Sequence, residues 1–180
     1  MRYIDSIIAG FGGQGVMLIG NLLAYAGMKD GLNVTYIPVY GPEMRGGTAN
    51  CTVVLSQEDI GSPIIHRPKS LIAMNRPSLD KFQTRVEDGG VHIINSSLID
   101  MELADTDRLK CYGVPCNEIA DKLGNTRMAN MVAIGAFVQA TGIISLDAVI
   151  GSLENVISAR YHKLIPANTE AIKAGAKHVS

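Results

Sequence analysis

The sequence is poor in charged side chains: Asp, Glu, Lys and Arg make up 18% of its 180 residues, against about a quarter in ordinary soluble domains. Its formal net charge of −1 leaves no basic surface of the kind that binds nucleic acid or an acidic membrane. No apolar run is long enough to cross a bilayer, and the start "MRYIDSIIAG" does not resemble a signal peptide. Because so few charges are available, we expect another protein to cover part of the surface; a large apolar core is the alternative explanation.

Cysteine is also scarce, with only Cys51, Cys111 and Cys116. No CxxC pair occurs, so the sequence predicts a protein of the reducing cytoplasm. Three separated cysteines are too few for an iron–sulfur cluster or a structural zinc within this chain alone. The four histidines are far apart, with no acid at ligand spacing, and therefore predict no metal site.

Apolar, strand-like segments alternate with helical ones along most of the chain. The predicted strands are Tyr3–Ala9, Asn33–Tyr40, Thr48–Ser56, Ser70–Asn75, Gly90–Ser97 and Leu109–Pro115. The predicted helices are Val16–Asp30, Ser78–Gly90, Asn117–Leu123, Arg127–Gly142, Ser145–Ile157 and Pro166–Val179. This alternation predicts one α/β domain over residues 1–180, with a Rossmann-like, mostly parallel sheet, helices on both faces and a helical C-terminal tail.

The stretch "IIAGFGGQG" contains Gly10, Gly12 and Gly15 in the spacing of a dinucleotide-binding loop, between a predicted strand and a predicted helix. A dinucleotide site also needs an acid at the end of the second strand to hold the ribose. Val39 and Tyr40 stand there instead. The loop is therefore open to three interpretations: a turn that serves packing or a partner, an anion bound at the helix amides, or a nucleotide site.

A second glycine-rich loop, "YGPEMRGGTAN", follows the second predicted strand. Such a loop lies on the rim where open α/β sheets bind ligands. Its central Arg45 has the planar donor fork that grips a phosphate, a carboxylate or a facing acid. The alternative interpretation is a solvent loop whose glycines only form turns.

The two loops together resemble a known family. "GFGGQG", "YGPEMRGGTANCTVVLS", "LIAMNRPSLDKF" and "NSSLI" are similar to segments of the gamma subunit of the 2-oxoacid:ferredoxin oxidoreductases. The resemblance extends from about Tyr3 to the C-terminal helix. Either glycine motif alone is unspecific, but the combination of the two is specific.

This resemblance implies a subunit of a thiamine-diphosphate enzyme that converts a 2-oxoacid, coenzyme A and oxidised ferredoxin to acyl-CoA, CO2 and reduced ferredoxin. It implies that thiamine diphosphate, Mg2+ and the iron–sulfur cluster are held by alpha, beta and delta subunits, and that this chain binds none of these cofactors alone. In agreement, the sequence contains no Gly-Asp-Gly followed by Asn of the kind that holds a diphosphate. The expected substrate is 2-oxoglutarate or a branched-chain 2-oxoacid.

The resemblance also implies that this chain covers the active centre and helps to hold coenzyme A, and we expect it to carry no catalytic residue. The expected rim, which contacts coenzyme A or a partner subunit, comprises Gly12, Gly13, Gln14, Gly15, Tyr40, Gly41, Pro42, Glu43, Met44, Arg45, Gly46, Gly47, Asn75 and Arg76. Arg45 is the foremost candidate among them. Two alternatives remain at this point: a stand-alone Rossmann-type oxidoreductase that binds NAD(P) or FAD, and a structural adaptor without a ligand.

Overall fold

The computed structural model describes residues 1–39 and 48–180. Within these ranges the strands are β1 (Tyr3–Phe11), β2 (Asn33–Val39), β3 (Thr48–Ser56), β4 (Ser70–Ala73), β5 (Val91–Asn95) and β6 (Lys110–Val114). The α-helices are α1 (Val16–Lys29), α2 (Arg76–Phe82), α3 (Cys116–Lys122), α4 (Ala129–Thr141), α5 (Leu146–Gly151), α6 (Leu153–Val156) and α7 (Ile165–His178). The predicted segment Tyr40–Gly47 lies outside the described residues.

The described strands form one sheet in the order β2-β3-β1-β4-β5-β6. Strands β1, β4, β5 and β6 are parallel neighbours, whereas β3 pairs antiparallel with both β1 and β2. Because β2 runs in the same direction as β1, five of the strands end at one edge of the sheet, which we call the carboxyl edge. The mostly parallel sheet is as predicted, but the insertion of β3 between β1 and β2 departs from a Rossmann sheet, where these two are neighbours.

Two apolar cores lie on opposite faces of the sheet, and helices contribute to both, as predicted. The larger core contains the buried sides of α1, α4 and α7, whereas the smaller one contains Leu79 and Phe82 of α2. Helix α4 contacts both β5 and α7, and every residue from 129 to 138 is buried. This position explains its apolar sequence on all sides. No helix in the described part of the chain is long and apolar enough to cross a membrane.

The glycines of α1 allow this helix to approach the sheet closely. A Cβ on Gly20 would lie 2.5 Å from the Cys51 sulfur, and one on Gly27 would lie 2.6 Å from a methyl group of Leu55. Both neighbours belong to β3. The face of α1 that packs against β3 therefore requires glycine at these two positions.

Two predicted helices differ from the structure by more than a shift of one or two residues at an end. Helix α2 begins before Ser78, because the Asn75 side chain accepts a hydrogen bond from the Ser78 amide and caps the first turn. The predicted helix 145–157 is divided into α5 and α6 at Ser152. There the hydroxyl donates to the Ala148 carbonyl at 2.8 Å, and the Gly151–Ser152 pair has low helix propensity.

Candidate functional site

The glycine loop leads from β1 into α1 at the carboxyl edge. Gly13 and Gly15 adopt φ values of 94° and 74°, which L side chains adopt only under strain. Gly15 is also the N-cap of α1 and provides no side-chain cap. A Cβ at this position would lie 2.4 Å from the Asn130 side-chain nitrogen. Gly15 is therefore required both by its own backbone conformation and by the contact with α4.

The Gln14 side chain connects this loop to Met74, the residue that follows the neighbouring strand β4. Its Oε1 accepts from the Phe11 amide at 2.6 Å, and its Nε2 donates to the Met74 carbonyl at 3.2 Å. A Cβ on Gly10 would lie 2.7 Å from that Oε1. One function of the glycine motif is thus to make room for a glutamine that closes the loop on itself.

Asn75 lies beside the loop, as the predicted rim requires. Its Nδ2 donates to Gln14 Oε1 at 3.4 Å, while its Oδ1 accepts from Ser78 N at 2.9 Å. Arg76 is exposed, and its Nε donates to Asp80 within α2 at 3.3 Å. The structure therefore brings Gln14 and Asn75 into contact, whereas Arg76 pairs within its own helix.

Further side-chain amides extend this network along the carboxyl edge. Asn95, at the end of β5, donates from Nδ2 to the Met74 carbonyl at 3.2 Å and to Asn117 Oδ1 at 2.8 Å. Asn95 is buried. Asn95 follows an apolar strand, which is a signal that the sequence carries, whereas Asn117 and Asn130 carry no signal beyond their places near helix starts.

Two cavities flank the glycine loop. One, of about 200 Å³, is lined by Gly13, Gln14, Asn117 and Arg127 among others. The other, of about 320 Å³, lies against Gly12, Gly15 and the first turn of α1. A larger cavity of about 430 Å³ lies at the opposite edge, where β1, β5 and β6 begin, and mixes Lys69 and Lys110 with Glu87 and Asp88. We place the candidate site at the carboxyl edge, since the glycine loop and the amide network meet there.

The sheet order bears directly on dinucleotide binding. In a Rossmann fold the second strand neighbours the first, so its terminal acid reaches the ribose of a nucleotide on the glycine loop. Here β3 lies between them, which moves the end of β2 about 10 Å sideways from β1 at ordinary strand spacing. The geometry at this loop is therefore not that of a dinucleotide site.

The cysteines do not fit a metal cluster. Burial raises the pKa of Cys51 and of Cys116 to about 12 and the pKa of Cys111 to about 11. Among residues 1–39 and 48–180, no three His, Cys, Asp or Glu side chains are grouped so that they could hold a metal ion.

Comparison with known proteins gives a consistent result. The model of the pyruvate ferredoxin/flavodoxin oxidoreductase family matches residues 5–178. The ketoisovalerate oxidoreductase subunit VorA of Methanothermobacter thermautotrophicus is 40% identical over 173 residues, which are 94% of this chain and 35% of that protein. The 2-oxoglutarate synthase subunit KorC of Methanothermobacter marburgensis is 37% identical over 156 residues, which are 83% of this chain and 84% of KorC.

The fold also matches a solved structure. The gamma subunit of a keto/oxoacid ferredoxin oxidoreductase from Geobacter sulfurreducens superposes with a TM-score of 0.80 at 25% identity, over 98% of each chain. This chain thus spans about a third of the length of VorA but most of KorC and of the Geobacter subunit.

Proposed function

Because the chain belongs to the pyruvate ferredoxin/flavodoxin oxidoreductase family, we propose that it is the gamma-type subunit of a 2-oxoacid:ferredoxin oxidoreductase complex. The complex converts a 2-oxoacid and coenzyme A to acyl-CoA and CO2, and passes the two electrons to ferredoxin. VorA and KorC, named for ketoisovalerate and 2-oxoglutarate, have similar identities to this chain. The proposed substrate is therefore either a branched-chain 2-oxoacid or 2-oxoglutarate.

The observation that carries this proposal is the match over residues 5–178, combined with the construction of the carboxyl edge. Gln14 and Asn75 close the glycine loop with hydrogen bonds inside the chain. This arrangement presents a fixed polar rim, as a subunit that completes a site on another chain requires.

We assign thiamine diphosphate, Mg2+ and the iron–sulfur clusters to the companion alpha, beta and delta subunits. The three cysteines of this chain are separated in sequence and too few for a cluster, which supports that division. The complex works in the cytoplasm in this proposal. The role of the present chain is to bind and position, and none of its residues moves a proton or an electron in the reaction.

The proposed contact surface for coenzyme A or a partner subunit is the rim predicted from the sequence. It comprises the loop Gly12–Gly15, the segment Tyr40–Gly47 and the pair Asn75–Arg76. Arg45, between two pairs of loop-forming residues, "GP" and "GG", is proposed to bind a phosphate of coenzyme A or an acid of the alpha subunit. A guanidinium binds either group through paired, charge-assisted hydrogen bonds.

Purification of the tagged chain from its host tests the assembly. We expect companion chains that contain thiamine diphosphate and iron–sulfur clusters to co-purify, and the complex to reduce ferredoxin with a 2-oxoacid and coenzyme A. Assays with 2-oxoglutarate, 2-oxoisovalerate and pyruvate then identify the substrate. Purification of the chain without such companions, or of a complex inactive with every oxoacid, contradicts the proposal.

The variant Arg45→Ala tests the proposed contact. Loss of a charge-assisted hydrogen bond corresponds to about a tenfold change or more, so we expect the KM for coenzyme A to rise by that factor, or assembly to weaken. Lys173→Ala is the control, because Lys173 is exposed on α7 and pairs with Glu170. If the coenzyme A KM and the yield of complex are both unchanged in Arg45→Ala, the role of Arg45 is wrong.

The stand-alone dinucleotide enzyme is not supported, because β3 separates the end of β2 from the glycine loop. Calorimetric titration of the isolated chain with NAD, NADP and FAD distinguishes the two functions. We expect no binding in the micromolar range for any of them. Tight binding of one dinucleotide would favour the stand-alone enzyme instead.

A further inference from the structure

The proposed function makes no use of the cavity of about 430 Å³ at the edge where the parallel strands begin, which we call the amino edge. Distant parts of the chain line it: Tyr3 at the start of β1, the turn 87–90 before β5, and Thr141 at the end of α4. Lys69 and Lys110, at the starts of β4 and β6, line it as well. Its volume lies within the roughly 300–1,000 Å³ of small-molecule sites.

Three charged groups of this cavity have no counter-ion in the described part of the chain. Lys69, Lys110 and Glu87 make no ion pair there. The ammonium of Lys69 lies 4.7 Å from the centre of the Tyr3 ring. Asp88, in contrast, accepts from Arg108 at 2.8 Å. The cavity thus offers two cations and one anion whose partners come from outside the protein.

Glu87 lies at the same end of the cavity as Tyr3. Its charge is among the causes that raise the pKa of Tyr3 to about 12, after burial and the hydrogen bond to Asp5. The Glu87 amide donates to the Pro68 carbonyl at 2.9 Å. Because Pro68 directly precedes Lys69, this backbone hydrogen bond keeps the anion close to one of the two cations.

Lys69 and Lys110 flank the start of β5. Val91 of this strand pairs with Ser70 of β4 and with Lys110 of β6, so the two lysines come from strands about 10 Å apart at ordinary spacing. Each ammonium is carried on a flexible four-carbon stem, so both can reach one carboxylate above β5. Tyr112, two residues beyond Lys110 on the same face of β6, adds a hydroxyl to this end of the lining.

From this arrangement we infer that the cavity binds a free α-amino acid with an apolar side chain. Its carboxylate is held by Lys69 and Lys110, and its ammonium is held by Glu87. A ligand of one sign would meet a like charge here, which costs binding free energy, whereas a zwitterion satisfies both signs. Ile4, Val91 and Ala140 supply the apolar part of the lining against which the side chain packs.

Nuclear magnetic resonance of the full ¹⁵N-labelled chain tests the site, with valine as the probe at constant pH and ionic strength. We expect saturable shifts of the Gly89, Lys110 and Thr141 amides and no shift of the Gly13 amide at the opposite edge. Two analogues each lack one charge of valine: 2-oxoisovalerate lacks the ammonium, and isobutylamine lacks the carboxylate. Each should bind about tenfold more weakly or worse, because a charge-assisted hydrogen bond is lost.

Glutamate tests the choice of side chain. It has the same zwitterionic group as valine but a charged side chain, which the apolar part of the lining disfavours. We expect weaker binding of glutamate than of valine. Equal or tighter binding overturns the assignment to an apolar amino acid.

Two variants each remove one charge from the cavity. Glu87→Gln removes the partner of the ammonium, and Lys110→Met removes part of the carboxylate site. Because neither side chain has an ion pair in residues 1–39 and 48–180, we expect the fold to be unchanged and the Kd for valine to rise about tenfold or more. Glu154→Gln on α6 and Lys122→Met on α3 are the matched controls, because both residues are exposed and lie outside the lining.

The inference is wrong if valine causes no saturable shifts, or if the Gly13 amide shifts as much as those of the cavity. It is also wrong if either cavity variant binds valine as the wild type does, or if its control weakens binding equally. Equal or tighter binding of 2-oxoisovalerate or isobutylamine overturns the assignment to a zwitterion. Amide spectra of each variant establish that the fold is intact. Because these titrations use the isolated chain, their outcome is separate from that of the assembly experiment.

Discussion

Gly135 of α4 and Gly175 of α7 each lie against the backbone of the other helix. A Cβ on Gly135 would be 1.9 Å from the Ile172 carbonyl oxygen, and a Cβ on Gly175 would be 1.9 Å from the Val132 carbonyl oxygen. The contact is reciprocal, and in both cases the atom that obstructs the Cβ belongs to the backbone of the other helix. The C-terminal helix is therefore held on α4 by a crossing that only glycine permits at both positions.

Substitution of either glycine by alanine should destabilise the protein strongly. Overpacking in a core costs about 1–3 kcal/mol where side chains can move aside, and here the obstacle is a carbonyl group of a buried helix. We expect Gly135→Ala and Gly175→Ala each to lower the free energy of unfolding by about 3 kcal/mol or more. Urea unfolding followed by circular dichroism measures the effect.

Gly151→Ala is the matched control for this crossing. Gly151 is the last residue of α5, and a Cβ there meets nothing within 4 Å. The better helix propensity of alanine should leave stability unchanged or raise it by up to about 1 kcal/mol. If Gly135→Ala is as stable as Gly151→Ala, the close crossing is wrong.

A second prediction concerns Gly15, which connects the glycine loop to α4. Gly15 and Gly31 have nearly equal φ values, 74° and 76°, but only at Gly15 would a Cβ meet a neighbour, the Asn130 side chain at 2.4 Å. Alanine in this left-handed backbone conformation costs about 1–2 kcal/mol, and this cost is common to Gly15→Ala and Gly31→Ala. We expect Gly15→Ala to lose more stability than Gly31→Ala, by about 1–3 kcal/mol.

A double-mutant cycle measures that excess. In Gly15→Ala/Asn130→Ala the obstructing amide is absent, so the second substitution should recover much of the additional loss. Additive effects of the two substitutions would show that Asn130 is not the obstacle. The measurement is again the free energy of unfolding in urea.

The sequence predicted most elements of the fold because apolar runs and caps are local signals. Thr48–Ser56 was recognised as a strand from its β-branched residues, but nothing in that pattern encodes its antiparallel direction or its place between β1 and β2. Those properties follow from pairing with distant residues, such as Ile8 with Cys51. Ser152 similarly divides a predicted helix through one hydrogen bond to Ala148.

Contacts along the expected rim were predictable only where residues follow strands. Gln14 and Asn75 were both expected on the rim, and their side chains are in contact. The positions of Asn117 and Arg127 beside the loop depend on how α3 and the turn before α4 pack against it. Because this packing joins segments more than a hundred residues apart, no short motif reports it.

Buried His92 should make stability depend on pH. It is fully buried, its ring nitrogens have no hydrogen-bond partner in the described residues, and burial lowers its pKa from 6.5 to about 4. Between these values the unfolded chain binds a proton that the folded chain does not, so stability falls as pH decreases from about 6.5 to 4. We expect a loss of about 3 kcal/mol across this window and no further loss from His92 below it.

His92→Leu should remove this contribution, and unfolding midpoints at several pH values between 4 and 7 measure it. Ile94→Leu is the control, because Ile94 lies in the same strand and faces the same core but does not titrate. The stability of Ile94→Leu should differ from that of the wild type by a similar amount at every pH. Equal pH dependence in His92→Leu and the wild type would contradict the prediction.

Asn95→Asp tests the direction of the hydrogen bonds along the carboxyl edge. Asn95 accepts from Cys116 N and donates to the Met74 carbonyl, so an ionised aspartate keeps the first bond but turns an oxygen toward a second oxygen. A buried acceptor left without its donor costs about 1–3 kcal/mol, and more when the group is charged. We therefore expect a loss of at least that size at pH 7, which becomes smaller in acid as the carboxyl group takes up a proton.

Asn155→Asp is the control. Asn155 lies on the exposed side of α6, so this substitution should change the free energy of unfolding by less than about 0.5 kcal/mol. Equal unfolding midpoints for the two variants would contradict these hydrogen bonds of the Asn95 amide.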